Sequence, residues 1–212
     1  MNKDEIARVC ELGVATVYEA SGRTGLIDLP LIQLIPGSRV AGPARTVLCG
    51  QDDNLMVHAA IEHIQPGEVL VLGMPEPSPV ALIGELLATQ VMVRGAVGIL
   101  VDAAVRDVEA LVEMGLPIWT RFIRVKGATK NKVGELNITI ALGGAQISPA
   151  DIIVLDADGG VCIEPDRTSE VLSAAEARYA HEVSVRKKLM AGETTYDLHG
   201  LGKVLERNRR KP

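Results

Sequence analysis

The residues best equipped for chemistry in this sequence fall between Gly84 and Asp107. The segment GELLATQVMVR at 84–94 reads as a helix, with Glu85, Leu86 and Leu87 in its first turn behind Gly84. Backbone N–H groups in a first helical turn have no partner within the helix and carry the positive end of its dipole. They can receive a carboxylate or phosphate without side chains. Twenty residues separate Glu85 from the pair Arg106-Asp107. A guanidinium holds a carboxylate by two parallel hydrogen bonds. An aspartate can ligate a hard divalent cation, with Glu85 as a second ligand through water, since Mg²⁺ keeps several waters and needs few protein carboxylates. The same residues have plainer readings. A Glu at a helix start complements the dipole, and an Arg-Asp pair forms a surface ion pair. On type and spacing alone the plainer readings come first and the metal site second.

The surrounding pattern says what must position these groups. After the 84–94 helix, Gly95 is a stop and Val97 to Val101 is an unbroken apolar run, the mark of a strand covered on both faces and usually parallel to its neighbours. The stretch Asp102 to Asp107 then reads as a loop at the carboxyl end of that strand, where open α/β sheets place ligands. Upstream, residues 4–22 read as one helix closed by Ser21-Gly22, and 39–49 as a strand with Pro43 at an edge or bend. A helix is expected over 54–64, a strand over 68–72, a short helix over 107–114 and a strand over 118–120. Short strands follow at 135–141, 152–155 and 161–163, with Asp156 to Gly160 as a hairpin turn. A single long helix is expected from Thr168 to Ala191, capped by Thr168 or Asp166. The whole reads as one mixed α/β domain over 1–212 with 166–212 as a C-terminal helical arm.

Composition removes several function classes. The chain has 212 residues, 47% hydrophobic and 23% charged, so it is neither disordered nor collagen-like. Its net charge is −5 and its aromatic content 2%, a poor match to a nucleic-acid binder, which needs a basic footprint or stacking platforms. The basic run Arg207 to Lys211 reads as a solvated tail. No apolar run reaches the ~20 residues of a membrane span, and the first residues lack a signal-peptide layout, so the expected location is the cytoplasm. Cys10, Cys49 and Cys162 are far apart and odd in number; they read as small core hydrophobes rather than a disulfide or zinc framework.

The spacing Glu85–X20–Arg106-Asp107 resembles the acidic–X20–Arg–Asp signature of the pyruvate aldolases in the RraA-like superfamily, the 4-hydroxy-4-methyl-2-oxoglutarate and 4-carboxy-4-hydroxy-2-oxoadipate aldolases. The resemblance runs from about Leu12 to Leu189. It includes LGVATVYEASGRTGL at 12–26, DDNLMVHAAIEHIQPGEVLV at 52–71, GELLATQ at 84–90, RGAVGILVDAAVRDVEAL at 94–111, GLPIW at 115–119 and SPADIIVLDADGGVCI at 148–163. It implies a swivelling β/β/α layered domain assembled as a homotrimer or homohexamer, with Mg²⁺, Mn²⁺ or another divalent cation as cofactor and a 2-oxo acid as substrate. By the same resemblance Asp107 is the direct metal ligand and Glu85 reaches the ion through water. Arg106 binds the pyruvyl part of the substrate, and Gly84, Leu86 and Leu87 form the amide cradle for its carboxylate. Glu182 is donated to the site by an adjacent subunit, and Asn54 and His58, spaced i, i+4, face the pocket. The chain departs from the common pattern in having Glu85 where Asp is usual, and in the segment MPEPSPV at 74–80.

Other residues carry less. His63 falls off the Asn54–His58 face. Glu19 and Arg23 form an i, i+4 pair on a helix. Lys126 and Lys130 read first as solvated loop lysines and second as a lure for a distal carboxylate. Asp156 and Asp158 lack calcium-site spacing and read as turn residues.

The implied reaction is retro-aldol cleavage, with oxaloacetate decarboxylation as a side activity, since both leave a pyruvate enolate beside a Lewis acid. Arg106 would stabilise that enolate, and a metal-bound water held by Glu85 or by a neighbour's Glu182 is the hypothesis for the general base. Three other activities compete with this one. A Schiff-base aldolase needs a desolvated lysine, and every lysine here has polar neighbours in sequence. A protein-binding regulator of ribonuclease activity, as in the superfamily's name-giving member, needs a surface and no cation. A methyltransferase, a label some relatives carry, needs a glycine-rich loop after a first strand, which is not found.

Overall fold

The computed structural model describes residues 3–209. Its elements run α1 (Lys3–Leu12), α2 (Val14–Ala20), β1 (Leu26–Ile27), β2 (Ile32–Gln33), β3 (Val40–Leu48), α3 (Leu55–Ile61), β4 (Val69–Gly73), β5 (Ala81–Ile83), α4 (Glu85–Val93), β6 (Gly98–Val105), α5 (Val108–Met114) and β7 (Ile118–Ile123). There follow β8 (Glu135–Leu136), β9 (Ile140–Leu142), β10 (Ala145–Ile147), β11 (Ile152–Asp156), β12 (Gly159–Ile163), α6 (Thr168–Met190), α7 (Thr195–Leu198) and α8 (Leu201–Arg209). The chain divides into two compact units between Ala175 and Glu176.

The first unit is built on one sheet in the order β1-β12-β11-β3-β4-β6-β7-β2, with β5 beside β6 and β8 beside β3. The centre is parallel: β3 with β4, β4 with β6, and β6 with β5 and β7. Alternation along these strands feeds two cores. Leu70, Leu72, Ile99, Val101 and Val105 face the layer of α3, α4 and α5. Val69, Val71, Leu100 and Trp119 face the opposite side, where the β9–β10 hairpin covers the sheet. A third cluster packs α1, α2 and the start of α6 on β11 and β12. Parallel strands covered on both faces explain the continuous apolar runs. The result is a hairpin layer, a sheet and a helix layer, the mixed α/β architecture expected.

Several boundaries differ from the sequence reading. The helix expected over 4–22 is broken at Gly13, whose φ of 82° leaves the helical region. There the buried Asp156 carboxylate accepts from Val14 N–H at 2.9 Å, so this turn residue also caps α2 from 142 positions away. Pro43 does not lie on an edge strand. It sits in a central one, at the point where β3 hands over from β11 to β4, so its missing N–H interrupts neither ladder. The strand expected to end at Val101 continues to Val105, because β5 and β7 both extend the ladder. Asp102 is therefore a buried strand residue paired with Arg121 at 2.9 Å rather than a loop residue. Cys49 and Cys162 are buried, but Cys10 is only partly so.

In the second unit α6 continues as a largely exposed helix, followed by α7 and α8, which the sequence reading missed. The tail expected from Arg207 falls partly in α8, and its last positions lie outside the described residues. No helix among the described residues is long and apolar enough to cross a membrane.

Candidate active site

Residues 84–85 and 106–107 meet for a topological reason. β5 and β6 are parallel neighbours, with Ile83 opposite Val105. Their chains leave the sheet side by side: one enters α4 through Gly84, the other enters α5 through Arg106 and Asp107. The 20-residue spacing is thus one helix plus the return strand. The Arg106 N–H to Ile83 carbonyl bond, 3.0 Å, ties the two exits together.

Asp107 is the N-cap of α5 with φ 61° and ψ 40°, a left-handed conformation that Asp tolerates better than most residues. This turns its carboxylate back across the sheet end. Its Oδ2 accepts the Glu85 N–H at 3.1 Å and lies 3.6 Å from Arg106 Nε. Gly84 makes the approach possible. Its backbone is ordinary extended chain, so glycine is not required there by conformation. A Cβ at 84, however, would sit 2.5 Å from Asp107 Oδ2 and 3.1 Å from Arg106 Nε. Leu86 and Leu87 precede the first helical bond, Ala88 N–H to the Gly84 carbonyl, so their amides belong to the unbonded first turn.

These groups line a cleft of about 490 Å³, within the usual size of a small-molecule site. Gly84, Glu85, Leu86, Leu87, Arg106 and Asp107 form one side of it. Asn54 and His58, at the start of α3, also line it. Asn54 is 7% exposed, and its Nδ2 donates to the Leu82 carbonyl at 3.0 Å. That bond fixes the amide, and leaves Asn54 Oδ1 buried with no hydrogen-bond partner among the described residues. His58 Nε2 is in the same condition. Buried polar atoms without partners are uncommon, and in a cleft they mark places a ligand or water satisfies.

Another part of the lining comes from a loop the sequence reading undervalued. Ala128 and Lys130 line the cleft; Lys126 is not among the lining residues. The loop is held by Asp53, which is inaccessible to solvent. Asp53 Oδ2 accepts from Thr129 Oγ1 at 2.6 Å, Asn131 N–H at 2.7 Å and Lys132 N–H at 3.1 Å, while Oδ1 accepts from Leu55 N–H at 2.8 Å. Burial alone would raise its pKa, but these four hydrogen bonds outweigh burial and hold the carboxyl well below the usual carboxylate range. Asp52 beside it accepts from Ser78 Oγ at 2.6 Å and ties down the 74–80 segment; that bond chiefly lowers its own pKa. Sequence reasoning passed over Gln90 too, which lines the cleft one turn beyond Leu86. Its i+4 spacing from Leu86 was the available signal.

The remaining candidates are not among the residues that line the cleft of the first unit. Glu182 is in the second unit, on α6, where Arg178 pairs with it at 3.0 Å. Glu19 and Arg23 do form an ion pair at 3.2 Å, but not along one helix: α2 ends at Ala20, and Arg23 lies beyond it with φ 64°. His63 is exposed just beyond α3.

The RraA-like family profile, described as Aldolase/RraA, matches residues 7–162. A protein of Halalkalibacterium halodurans, provisionally named 4-hydroxy-4-methyl-2-oxoglutarate aldolase, is 34% identical over 144 residues, 68% of this chain and 69% of its own length. The structure of Streptomyces coelicolor RraAS2, described as an unusual member of the RNase ES inhibitor RraA family, superposes with a TM-score of 0.77 at 26% identity, covering 88% of this chain and 97% of its own. An uncharacterized protein from Pseudomonas syringae shares the fold with a TM-score of 0.82 at 21% identity over 92% of both chains.

Proposed function

The chain belongs to the RraA-like family, and from that premise we propose that it is a lyase, a divalent-metal-dependent pyruvate aldolase. It cleaves 4-hydroxy-2-oxo di- or tricarboxylic acids, such as 4-hydroxy-4-methyl-2-oxoglutarate or 4-carboxy-4-hydroxy-2-oxoadipate, and decarboxylates oxaloacetate as a side reaction. The observation that carries the reading is the meeting of Arg106, Asp107 and the α4 amides in a cleft whose lining also offers unsatisfied buried polar atoms on Asn54 and His58.

The donor set fits a hydrated Mg²⁺ or Mn²⁺. Asp107 is half exposed and would ligate it, with Glu85 joined through water. Among the described residues no three His, Cys, Asp or Glu side chains converge to hold a metal, so the donors suit a water-rich ion better than a protein-enclosed zinc. Such a cation supplies Lewis-acid polarisation of the 2-oxo group.

The chain's own residues do the rest. The Leu86 and Leu87 amides and Arg106 bind the substrate's 1-carboxylate and fix its orientation. The 4-hydroxyl gives its proton to a water held by Glu85, the C3–C4 bond breaks, and its electron pair becomes the C2–C3 enolate. Arg106 places a fixed positive charge where that enolate develops, which favours the transition state over the ground state. Protonation at C3 completes pyruvate. Asn54 Oδ1 and His58 Nε2 meet the polar substituents at C4. Lys130 faces the distal carboxylate.

Pyruvate release should be assayed on a panel of 4-hydroxy-2-oxo acids and oxaloacetate, with and without Mg²⁺. Turnover is expected only with the metal, abolished by excess EDTA. Asp107→Ala should lose it while keeping the wild-type circular dichroism, with a modest drop in melting temperature because alanine is strained at φ 61° and gives up the bond to the Glu85 N–H. Full activity in EDTA, or in that variant, overturns the reading. No turnover on any panel member, together with capture of a ribonuclease, would place the chain with the regulators instead.

A further inference from the structure

We propose that Gly127 is a positioning residue whose missing side chain provides the seat for the Arg106 guanidinium. A Cβ built at 127 would meet Arg106 Nη1 at 2.8 Å and Cζ at 3.9 Å, and no other described atom within 4 Å apart from its chain neighbours. Backbone conformation does not demand glycine here, since Gly127 is not among the positive-φ residues. The position is exposed, so packing does not demand it either. Gly134, seven residues on, is a contrast: a Cβ there would overlap the Leu48 backbone carbonyl, so that glycine serves the fold. What Gly127 leaves room for is one side chain, and that side chain is the arginine of the cleft.

The seat is fixed from behind. The neighbouring Lys126 carbonyl accepts from Ala81 N–H at 2.7 Å, and Ala81 and Gly127 form a parallel bridge. Further along, the loop is held at Thr129, Asn131 and Lys132 by the Asp53 carboxylate. At the other end of the arginine, Gly84 leaves room for Cγ and Nε, at 3.2 and 3.1 Å from its would-be Cβ. Two glycines 43 positions apart in sequence, 84 and 127, therefore confine the two ends of Arg106. A guanidinium binds a planar carboxylate well only when its fork is aimed, so a shift of about 1 Å costs binding.

This proposal rests on reading the cleft as a 2-oxo acid site. It is tested with Gly127→Ala, which the backbone accepts and which should fold with an unchanged melting temperature. Two measurements are made. One is the ¹⁵N–¹H resonance of Arg106 Nε, assigned by its absence in Arg106→Ala. The other is the affinity for oxalate, a planar analogue of pyruvate enolate, in Mg²⁺. The expected result is a displaced Arg106 resonance and at least tenfold weaker oxalate binding, with no further loss when Gly127→Ala is added to Arg106→Ala. An unmoved resonance overturns the proposal. So does an equal loss in the Arg106→Ala background, or a Gly127→Ala protein that fails to fold. A wild-type protein that binds no oxalate and turns over no 2-oxo acid defeats the aldolase reading instead, and the Arg106 resonance still decides the role of Gly127.

Discussion

Arg106 and Asp107 show what a residue gains from its place in a chain. The pair is an ordinary dipeptide until Asp107 takes the left-handed conformation, which sends its carboxylate to the Glu85 amide. Lysine at 106 would keep the charge but not the planar fork. We expect Arg106→Lys to lower kcat/KM for pyruvate release by about 100-fold, or about 3 kcal/mol of transition-state stabilisation. Most of the loss should fall in kcat, because the enolate's charge is absent from the bound substrate and builds up only as the C3–C4 bond breaks. A loss confined to KM would assign Arg106 to uniform substrate binding. The candidates Glu85, Arg106 and Asp107 were legible because chemistry needs those residue types at that spacing. The close contacts of Gly84 with the pair were not, since a glycine's missing atoms acquire meaning only when the neighbour is known. The sequence reading put Lys126 and Lys130 first as solvated loop lysines and only second as a lure for a distal carboxylate, because no periodic pattern shows where an irregular loop will fold back.

At the scale of elements, the cleft depends on a loop without regular pairing. Residues 126–133 hold their shape through one buried carboxylate and a few backbone bonds. Asp53→Asn keeps the size of the side chain but must turn an N–H₂ either to the three donors on Oδ2 or to the Leu55 N–H on Oδ1, leaving at least one buried donor unsatisfied. We expect it to lower stability by about 3 kcal/mol at neutral pH, measured by urea unfolding. The acid limb should change as well. The folded-state pKa of Asp53 lies below its unfolded value of about 3.9. Its contribution is therefore complete above that unfolded value and is lost as pH falls toward the folded one. The wild type should lose stability below about pH 4 more steeply than Asp53→Asn; parallel acid limbs would contradict the assignment. The central elements were legible from sequence because buried parallel strands write themselves as apolar runs. The break at Gly13 was not, because the cap that stabilises it comes from Asp156, a contact no local pattern encodes. Nor was the extension of β6 through Asp102, where an acid in a strand interior is stabilised by Arg121 from the next strand.

At the scale of the molecule, the single chain leaves apolar surface beside its own cleft. Leu86 is 79% exposed and Val93 77%, both on α4, with Met92 and Val112 also exposed nearby in the helix layer. In the second unit Tyr179, Leu201, Val204 and Leu205 are exposed in turn. The homotrimer or homohexamer that the resemblance to the aldolases implies would cover some of these side chains with a second copy of the chain. The resemblance to the aldolases assigns Glu182 to the neighbouring subunit's site, which makes a strict prediction about mixtures. Glu182→Gln and Asp107→Ala should each be inactive alone as assembled oligomers. If every site takes Asp107 from one subunit and Glu182 from the next, unfolding and reassembling the two variants together should restore activity. Some interfaces in the mixed oligomers then join an intact Asp107 to an intact Glu182. A site made within one chain can never be repaired this way, because each chain carries one defect. Mixed oligomers verified by native mass spectrometry that remain inactive would confine Glu182 to its own chain. Recovery of about a quarter of wild-type activity, the random-mixing value for two residues drawn independently from a 1:1 pool, would establish the shared site.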